Sequence, residues 1–307
     1  ETFIETGDKQ VGLYHPKKYL SYEKELLPVA QQQKYTLFNI SMGGGKTYSV
    51  MDYIENENPK RVLWITNRIT LGRSLDGEIN KRNIGNKFVF YKDIHDEFGA
   101  SFKNMGDECK VETLESADRL FIEVESLKHL QFAEPYDLIV ADECESLFLA
   151  FNSDATHGVS YNTNKNTFEK ILQQAKKVFL MDAYLSTRTT QFVADNDPQE
   201  EIFVIYNKIK RKKKYIQYAD FNHMLNIIIK ELQQGKRIYM FYPYKTGKGS
   251  LYKMSIEKLG ELIKSKVEGL KSLIYHGDID DAKKRQLGDV NDLWSKYQLI
   301  ITNSTIS

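Results

Sequence analysis

Parallel sheets wound with helices, an α/β fold, are what this sequence predicts, and three observations carry the prediction. Short runs rich in Val, Ile, Leu and aromatic residues alternate with helical stretches; the first run breaks into a glycine-rich loop; polar or acidic residues stand at the carboxyl ends of the others. With 307 residues and 41% apolar content the chain can bury a substantial core, and its length favours about two domains. Charge divides it on the same scale. Residues 1–206 carry 23 Lys and Arg against 32 Asp and Glu, a formal −9, whereas residues 207–307 carry 20 against 10, a formal +10. Domains over 1–206 and 207–307 are therefore expected. The basic half suits a nucleic-acid partner, although two independently solvated domains would divide charge in the same way.

No run is long and apolar enough to span a membrane, and no charged-then-apolar leader stands at the N-terminus, so a soluble intracellular protein is expected. Because the chain starts at Glu1 without Met, it reads as a fragment. Its two cysteines, Cys109 and Cys144, exclude a disulfide scaffold or a four-Cys zinc site and read as reduced thiols.

Taken in order, Ser21–Gln33 reads as a helix, and Tyr14 and Gln31 to Gln33 are candidates for reading an adenine ring. Tyr35 to Ile40 is a buried strand. It gives way to Gly43-Gly44-Gly45-Lys46-Thr47 before a helix over Thr47–Glu55, the layout of a phosphate-binding loop. The glycines let backbone N–H groups converge on phosphate oxygens, Lys46 supplies charge, and Thr47 offers a hydroxyl to Mg²⁺. Met42 to Tyr48 are the expected ATP contacts, and the motif departs from its usual pattern only at the first position, Ile40.

Arg61–Thr66 is a near-continuous apolar strand ending in Thr66-Asn67-Arg68, polar groups at the edge where open α/β sheets bind ligands. A helix starts within Leu71–Leu75, Phe88–Tyr91 is a short strand, and Asp93–Lys110 is a charged connection without an assignment. Leu120–Val124 is a strand followed by Ser126 and a helix bearing the surface residue His129. Tyr136–Ala141 is a strand delivering Asp142 and Glu143. Downstream of a phosphate loop, such a pair completes an ATPase site, Asp142 holding Mg²⁺ and Glu143 orienting and deprotonating the attacking water. Glu145 reads as capping or pairing with a neighbour. An exposed loop over Asn152–Asn166, a helix over Thr167–Lys176, the strand Lys177–Met181, a further helix and the strand Ile202–Tyr206 close this half.

The run Lys208–Lys214 reads as a solvated linker. Beyond it come the strand Tyr215–Tyr218, the helix Phe221–Gln234 stopped by Gly235, and the strand Arg237–Tyr242 with Tyr244 and Lys245 at its end. The helix Tyr252–Lys266, the strand Ser272–Tyr275 ending in His276, and the strand Tyr297–Ile301 ending in Thr302 repeat the theme.

Taken together, these motifs resemble a superfamily 2 helicase. S-M-G-G-G-K-T stands as motif I, T-N-R as motif Ia, D-E-C-E as motif II, M-D-A-Y as motif III, R-I-Y-M-F-Y-P-Y as motif IV and I-I-T-N-S-T-I-S as the start of motif V. V-E-S-L-K-H-L followed by Y-D-L-I-V-A-D-E-C-E-S-L-F-L-A-F-N-S is most similar to the origin-of-replication-binding-protein helicases of herpesviruses and large DNA viruses. The resemblance covers most of residues 35–307. It implies two RecA-like domains in tandem, the second incomplete, closing around ATP and Mg²⁺ to move a single or forked DNA strand, with RNA left open, alongside replication proteins. Lys46, Asp142 and Glu143 would be catalytic, Asp182 and Ala183 would couple hydrolysis to movement, and Thr66, Asn67, Arg68, Ser126, Tyr244, Lys245, His276 and Thr302 would contact nucleic acid. Motif III ends in Tyr184 where the family usually has Thr. Other readings are a nucleic-acid-stimulated ATPase that translocates without unwinding and a phosphate-loop kinase for a small metabolite.

Overall fold

Runs with no polar side chain to spare become strands buried on both faces. A computed structural model of the chain describes residues 11–14, 19–67, 69–82, 84–94, 106–151, 160–206, 220–244, 254–276 and 290–303. Arg68, Lys245, the Lys208–Lys214 run, the expected strand Tyr215–Tyr218 and most of the Asn152–Asn166 loop lie outside the described residues. The chain divides into two units, Glu1–Lys210 and Arg211–Ser307.

Among the described residues of the first unit eight strands form one sheet: β1 (Val11–Tyr14), β2 (Tyr35–Asn39), β3 (Val62–Thr66), β4 (Val89–Phe90), β5 (Arg119–Glu123), β6 (Leu138–Asp142), β7 (Lys177–Asp182) and β8 (Ile202–Tyr206). Their order is β1-β8-β2-β7-β6-β3-β5-β4, with every pairing parallel. All residues of β3, β5 and β6 are buried, without the alternation of a half-solvated strand. The helices that cover the sheet are α1 (Leu27–Gln32), α2 (Lys46–Glu57), α3 (Ile69–Ile79), α4 (Asp107–Ser116), α5 (Cys144–Ala150), α6 (Tyr161–Gln174) and α7 (Thr187–Asn196). Tyr53 of α2 packs edge-on to Phe179 of β7 with 5.1 Å between ring centres, and Trp64 of β3 meets Phe121 of β5 at 5.4 Å. The core takes in charged groups as well, Arg119 being the most enclosed of them. Arg119 is buried and donates to the carbonyls of Asn86 (2.8 Å) and Pro59 (2.7 Å) and to Asn58 Oδ1 (2.7 Å), which offsets its desolvation.

Several elements differ from expectation. Strand β1 was not foreseen, and it places Tyr14 at the sheet's edge. Helix α4 fills the end of the unassigned connection. Glu125–Leu130 lies within a 3₁₀ stretch, Val124–Leu130, in place of the expected α-helix. Helix α6 begins at Tyr161 instead of Thr167, because the buried Asn164 accepts from Lys128 N (2.6 Å) and donates to the Glu125 carbonyl (3.0 Å). Those tertiary bonds outweigh the weak helix propensity of an Asn-rich run.

The second unit holds α8 (Phe221–Gln233), β9 (Ile238–Phe241), α9 (Ile256–Lys266), β10 (Ser272–Tyr275), α10 (Val290–Ser295) and β11 (Leu299–Thr302). Among the described residues its strands make a parallel sheet in the order β10-β11-β9. Ile228 and Leu232 of α8 and Ile256, Leu259 and Ile263 of α9 pack with Met240, Leu299 and Ile301 of the sheet. Leu273, Tyr275 and Ile300 form a separate cluster with Trp294 of α10. Helix α9 starts at Ile256, not Tyr252, where the Ser255 side chain caps it by accepting from Lys258 N.

Helix α9 lies close to the sheet only because Gly260 has no side chain: a Cβ there would overlap Ile274 Cδ1 and approach Ile301 Cδ1 to 3.7 Å. Gly260→Val is expected to destabilise the second unit by about 1–3 kcal/mol through overpacking. Of the two tryptophans, Trp64 belongs to the first unit and Trp294 to the second. Urea unfolding followed by Trp294 fluorescence in a Trp64→Phe background therefore reads the second unit alone. An unchanged midpoint would mean that α9 does not pack as described.

Candidate active site

Beyond β2 the backbone turns sharply into α2. Ile40 N donates to the Asp182 carbonyl (3.1 Å) and Gly44 N to the Ser41 carbonyl (2.9 Å). Gly43 (φ 67°) and Gly45 (φ 95°) adopt left-handed conformations that side chains rarely tolerate. A Cβ on Gly45 would also come within 3.3 Å of the Leu20 backbone N and O. Leu20 is laid against the loop by two bonds: its N–H donates to the Gly44 carbonyl (3.0 Å), and its carbonyl accepts from Ser49 Oγ (2.8 Å). No side chain caps the first turn of α2. A helix head of this kind presents its positive end to an anion. Lys46 and Thr47 are half-buried there, while Met42 and Tyr48 are exposed.

Strand β6 reaches the same sheet edge one strand away, across β7. Its last residue, Asp142, is only 3% exposed, and burial pushes its carboxyl up to about 7, opposed by Lys46 and reinforced by Glu143. Lys46 is thus the cation that this acid feels. Glu143 follows in a left-handed conformation (φ 52°), shared among the described non-glycine residues only with Asn58. Such strain in a non-glycine residue is concentrated at functional sites. Glu143 N donates to Asp142 Oδ1 (3.0 Å), and the Glu143 side chain is half-buried.

Between these two turns lies that of β7. The Asp182 carboxylate, 9% exposed, accepts from Glu145 N (3.1 Å) and Tyr184 N (2.9 Å). In return the Glu145 carboxylate accepts from Ser186 N (2.7 Å), Ser186 Oγ (2.9 Å) and Thr189 Oγ1 (2.5 Å). Each turn's acid therefore binds the other turn. Glu145 does pair with neighbours, but Ser186 and Thr189 drew no attention in the sequence, because only folding brings them to Glu145. Ala183 is half-buried beside Asp182.

Donor chemistry at this edge fits a metal-bound nucleotide. Thr47 and Asp142 offer the hard oxygens that Mg²⁺ takes, and Lys46 with the uncapped helix head suits a polyphosphate. The adenine candidates fare differently. Gln33 donates to Glu201 (3.2 Å), and Tyr14 sits in the edge strand. Tyr19, 55% exposed, is instead the aromatic beside the loop, with its Cβ 3.6 Å from where a Gly45 Cβ would stand. The sequence singles out Tyr14, and only the folded backbone shows that Tyr19 is the tyrosine next to Gly45.

Among the nucleic-acid candidates, Thr66 and Thr302 are fully buried, the latter bonded to Tyr239 Oη (2.7 Å), and the buried His276 is 2.9 Å from Glu257 Oε1. Burial removes these three side chains from a phosphate-contact set. Ser126 and Asn67 are half-buried, Tyr244 is exposed, and Asn67 Oδ1 has no hydrogen-bond partner among the described residues.

A family model described as "Origin of replication binding protein" matches residues 21–228. A putative replication origin-binding protein of Acanthamoeba polyphaga mimivirus is 28% identical over 278 residues, covering 86% of this chain and 31% of that protein. A putative helicase/primase complex protein of African swine fever virus (isolate Warthog/Namibia/Wart80/1980) is 26% identical over 317 residues, covering 99% of this chain and 26% of that protein. The chain thus spans about a quarter to a third of the length of these relatives. Among solved structures, S. cerevisiae Dbp5 bound to RNA and ADP BeF3 superposes with a TM-score of 0.57 at 14% identity, over 94% of this chain and 71% of its own. That likeness is one of fold: two RecA-like α/β units in tandem.

Burial of Asp142 carries a test. A carboxyl that keeps its proton up to about 7 when folded stabilises the fold at low pH, and the contribution is lost as pH rises from the ordinary carboxylate range through that value. Without nucleotide, Asp142→Asn should melt above the parent at neutral pH, with the gap in Tm widening from pH 5 to pH 8. A gap that is flat or narrows with pH would place the acid in a different environment.

Proposed function

The chain belongs to the origin of replication binding protein family, and from that premise we propose that it is the motor core of an ATP-driven helicase acting on DNA in replication. One observation supports this above the rest: the phosphate loop and the buried acid Asp142 emerge from the same sheet edge, with Lys46 as the cation that acts on the acid. Lys46 and the head of α2 bind the β- and γ-phosphates of ATP, and Tyr19 lies against the base. Thr47 and Asp142 hold Mg²⁺, which neutralises charge on the phosphate oxygens when bound. Glu143 orients the attacking water and accepts its proton, and its strained backbone fixes the carboxylate's direction. Asp182, Ala183 and Glu145 couple that position to the β7 turn. Asn67, Arg68, Ser126, Tyr244 and Lys245 contact backbone phosphates, which gives affinity without sequence preference. Replication proteins, as in the helicase/primase complex of the viral relative, are the partners implied.

Lys46→Ala is expected to weaken ATP binding. Glu143→Gln should leave binding intact and lower kcat by about 10²–10⁴, because it removes a base and no phosphate contact. Steady-state hydrolysis alongside fluorescent-nucleotide titration separates the two effects, and a Glu143→Gln variant turning over at the parent's rate would show the acid to be misassigned.

Affinity for a single-stranded oligonucleotide should fall on the order of tenfold between about 50 and 200 mM salt if roughly three phosphates are neutralised. Salt-independent binding would contradict the phosphate contacts. Forked-duplex unwinding distinguishes a helicase from a translocase.

A further inference from the structure

The β7–α7 turn carries two large exposed side chains, Tyr184 and Arg188, that enter no hydrogen bond, ion pair or ring contact among the described residues. Tyr184 is 78% exposed, and its ring and hydroxyl make no hydrogen bond or ring contact among the described residues. Arg188, on the first turn of α7, is exposed and has no acidic partner among the described residues. Both ride on backbone that cannot drift: Tyr184 N is held by the buried Asp182 carboxylate, Leu185 is 8% exposed, and Ser186 is bound through its N–H and hydroxyl to Glu145. An exposed aromatic on a fixed backbone loses little entropy when it takes a ligand, and an exposed cation four residues along the chain favours an anionic one.

We propose that Tyr184 and Arg188 form a contact site for one unpaired nucleotide of a single-stranded nucleic acid, Tyr184 stacking on the base and Arg188 meeting a neighbouring phosphate. The proposal rests on the motor reading above and adds to it a base contact, since the contacts named there are all to phosphates. Charge calls for an anionic occupant at Arg188, and the exposed ring favours an unpaired strand over an acidic protein segment or a duplex. Residues 1–206 carry a formal −9, so an anionic strand settles on this unit where a local cation has no acidic partner, as Arg188 has none among the described residues. Base pairing hides the face that Tyr184 would cover, so the site prefers unpaired bases, and stacking tolerates any base. Strand β7 lies between β2 and β6, so this contact would be one strand away from both the phosphate loop and Glu143. The carboxylate exchange between Asp182 and Glu145 makes the turn that feels the base continuous with the turn that carries the catalytic acid.

The test uses the full chain and single-stranded oligonucleotides containing 2-aminopurine, with matched oligonucleotides bearing an abasic site. The parent should quench 2-aminopurine on binding. Tyr184→Ala should lose the quench and about tenfold in affinity, Tyr184→Phe should keep both, and Arg188→Gln should weaken binding while reducing its salt dependence. Parent protein should bind the abasic oligonucleotide about as weakly as Tyr184→Ala binds the intact one. Fluorescent-nucleotide affinity and Tm unchanged in Tyr184→Ala would locate the loss at the strand and not in the fold or the ATP site. Parent-like affinity and quench in Tyr184→Ala, with salt-dependent binding intact, would overturn the base contact and leave the motor reading standing. A parent that binds no single strand at low salt would overturn both.

Discussion

Parallel pairing of β2, β7 and β6 is the constraint on which the rest of this molecule depends. Three neighbouring strands that run the same way must release their following turns at the same edge, so the phosphate loop, the β7 turn and the Asp142-Glu143 pair meet there although they are far apart in sequence. Parallel strands need helices on both faces, which explains why β3, β5 and β6 are buried throughout. Because the sheet is dry, any charge at its edge is partly desolvated. Asp142 shows this in its raised pKa, and Arg119 at the opposite end of β5 is tolerated only with three oxygen acceptors.

Rigidity at that edge comes from polar groups, not from packing. Asp182 and Glu145 exchange hydrogen bonds across two turns, so neither acid is left unsatisfied and neither turn can shift alone. On the other side Leu20 locks the glycine loop, where the missing Cβ of Gly45 permits the close approach. A site proposed to hold a highly charged ligand gains by being fixed beforehand, since its dipoles then need no reorganisation when the ligand arrives.

How much of this was legible in the sequence follows from how local each signal is. The glycine-rich turn and the Asp142-Glu143 pair are legible as contiguous strings whose local geometry is set by adjacent residues, and the structure brings both to one sheet edge. The apolar strands were legible because full burial removes polar residues from the whole run. Contacts between distant segments were not. Strand β1 pairs with β8 at the far edge, and its short segment carries no distinctive pattern. The Glu145, Ser186 and Thr189 bonds and the choice of Tyr19 over Tyr14 exist only once the chain has folded. Residue position at a strand end also says nothing of the direction a side chain takes, which is why Thr66, Thr302 and His276 looked like surface contacts and are buried.

The two departures from the motif pattern have physical explanations in the same geometry. Where the phosphate-loop pattern expects glycine, Ile40 is fully buried and extends β2 by donating its N–H to the Asp182 carbonyl, and it is not among the residues with positive φ. A glycine is needed only where the backbone turns left-handed or another chain segment crowds it, and here those demands fall on Gly43 and Gly45. At Tyr184 the argument is parallel. The need for a hydroxyl partner at Glu145 is met within the same turn by Ser186 and Thr189, which both bond it. With that requirement met elsewhere, position 184 is released from the hydrogen-bond network in all but its backbone N–H, and an exposed aromatic can occupy it without cost to the turn.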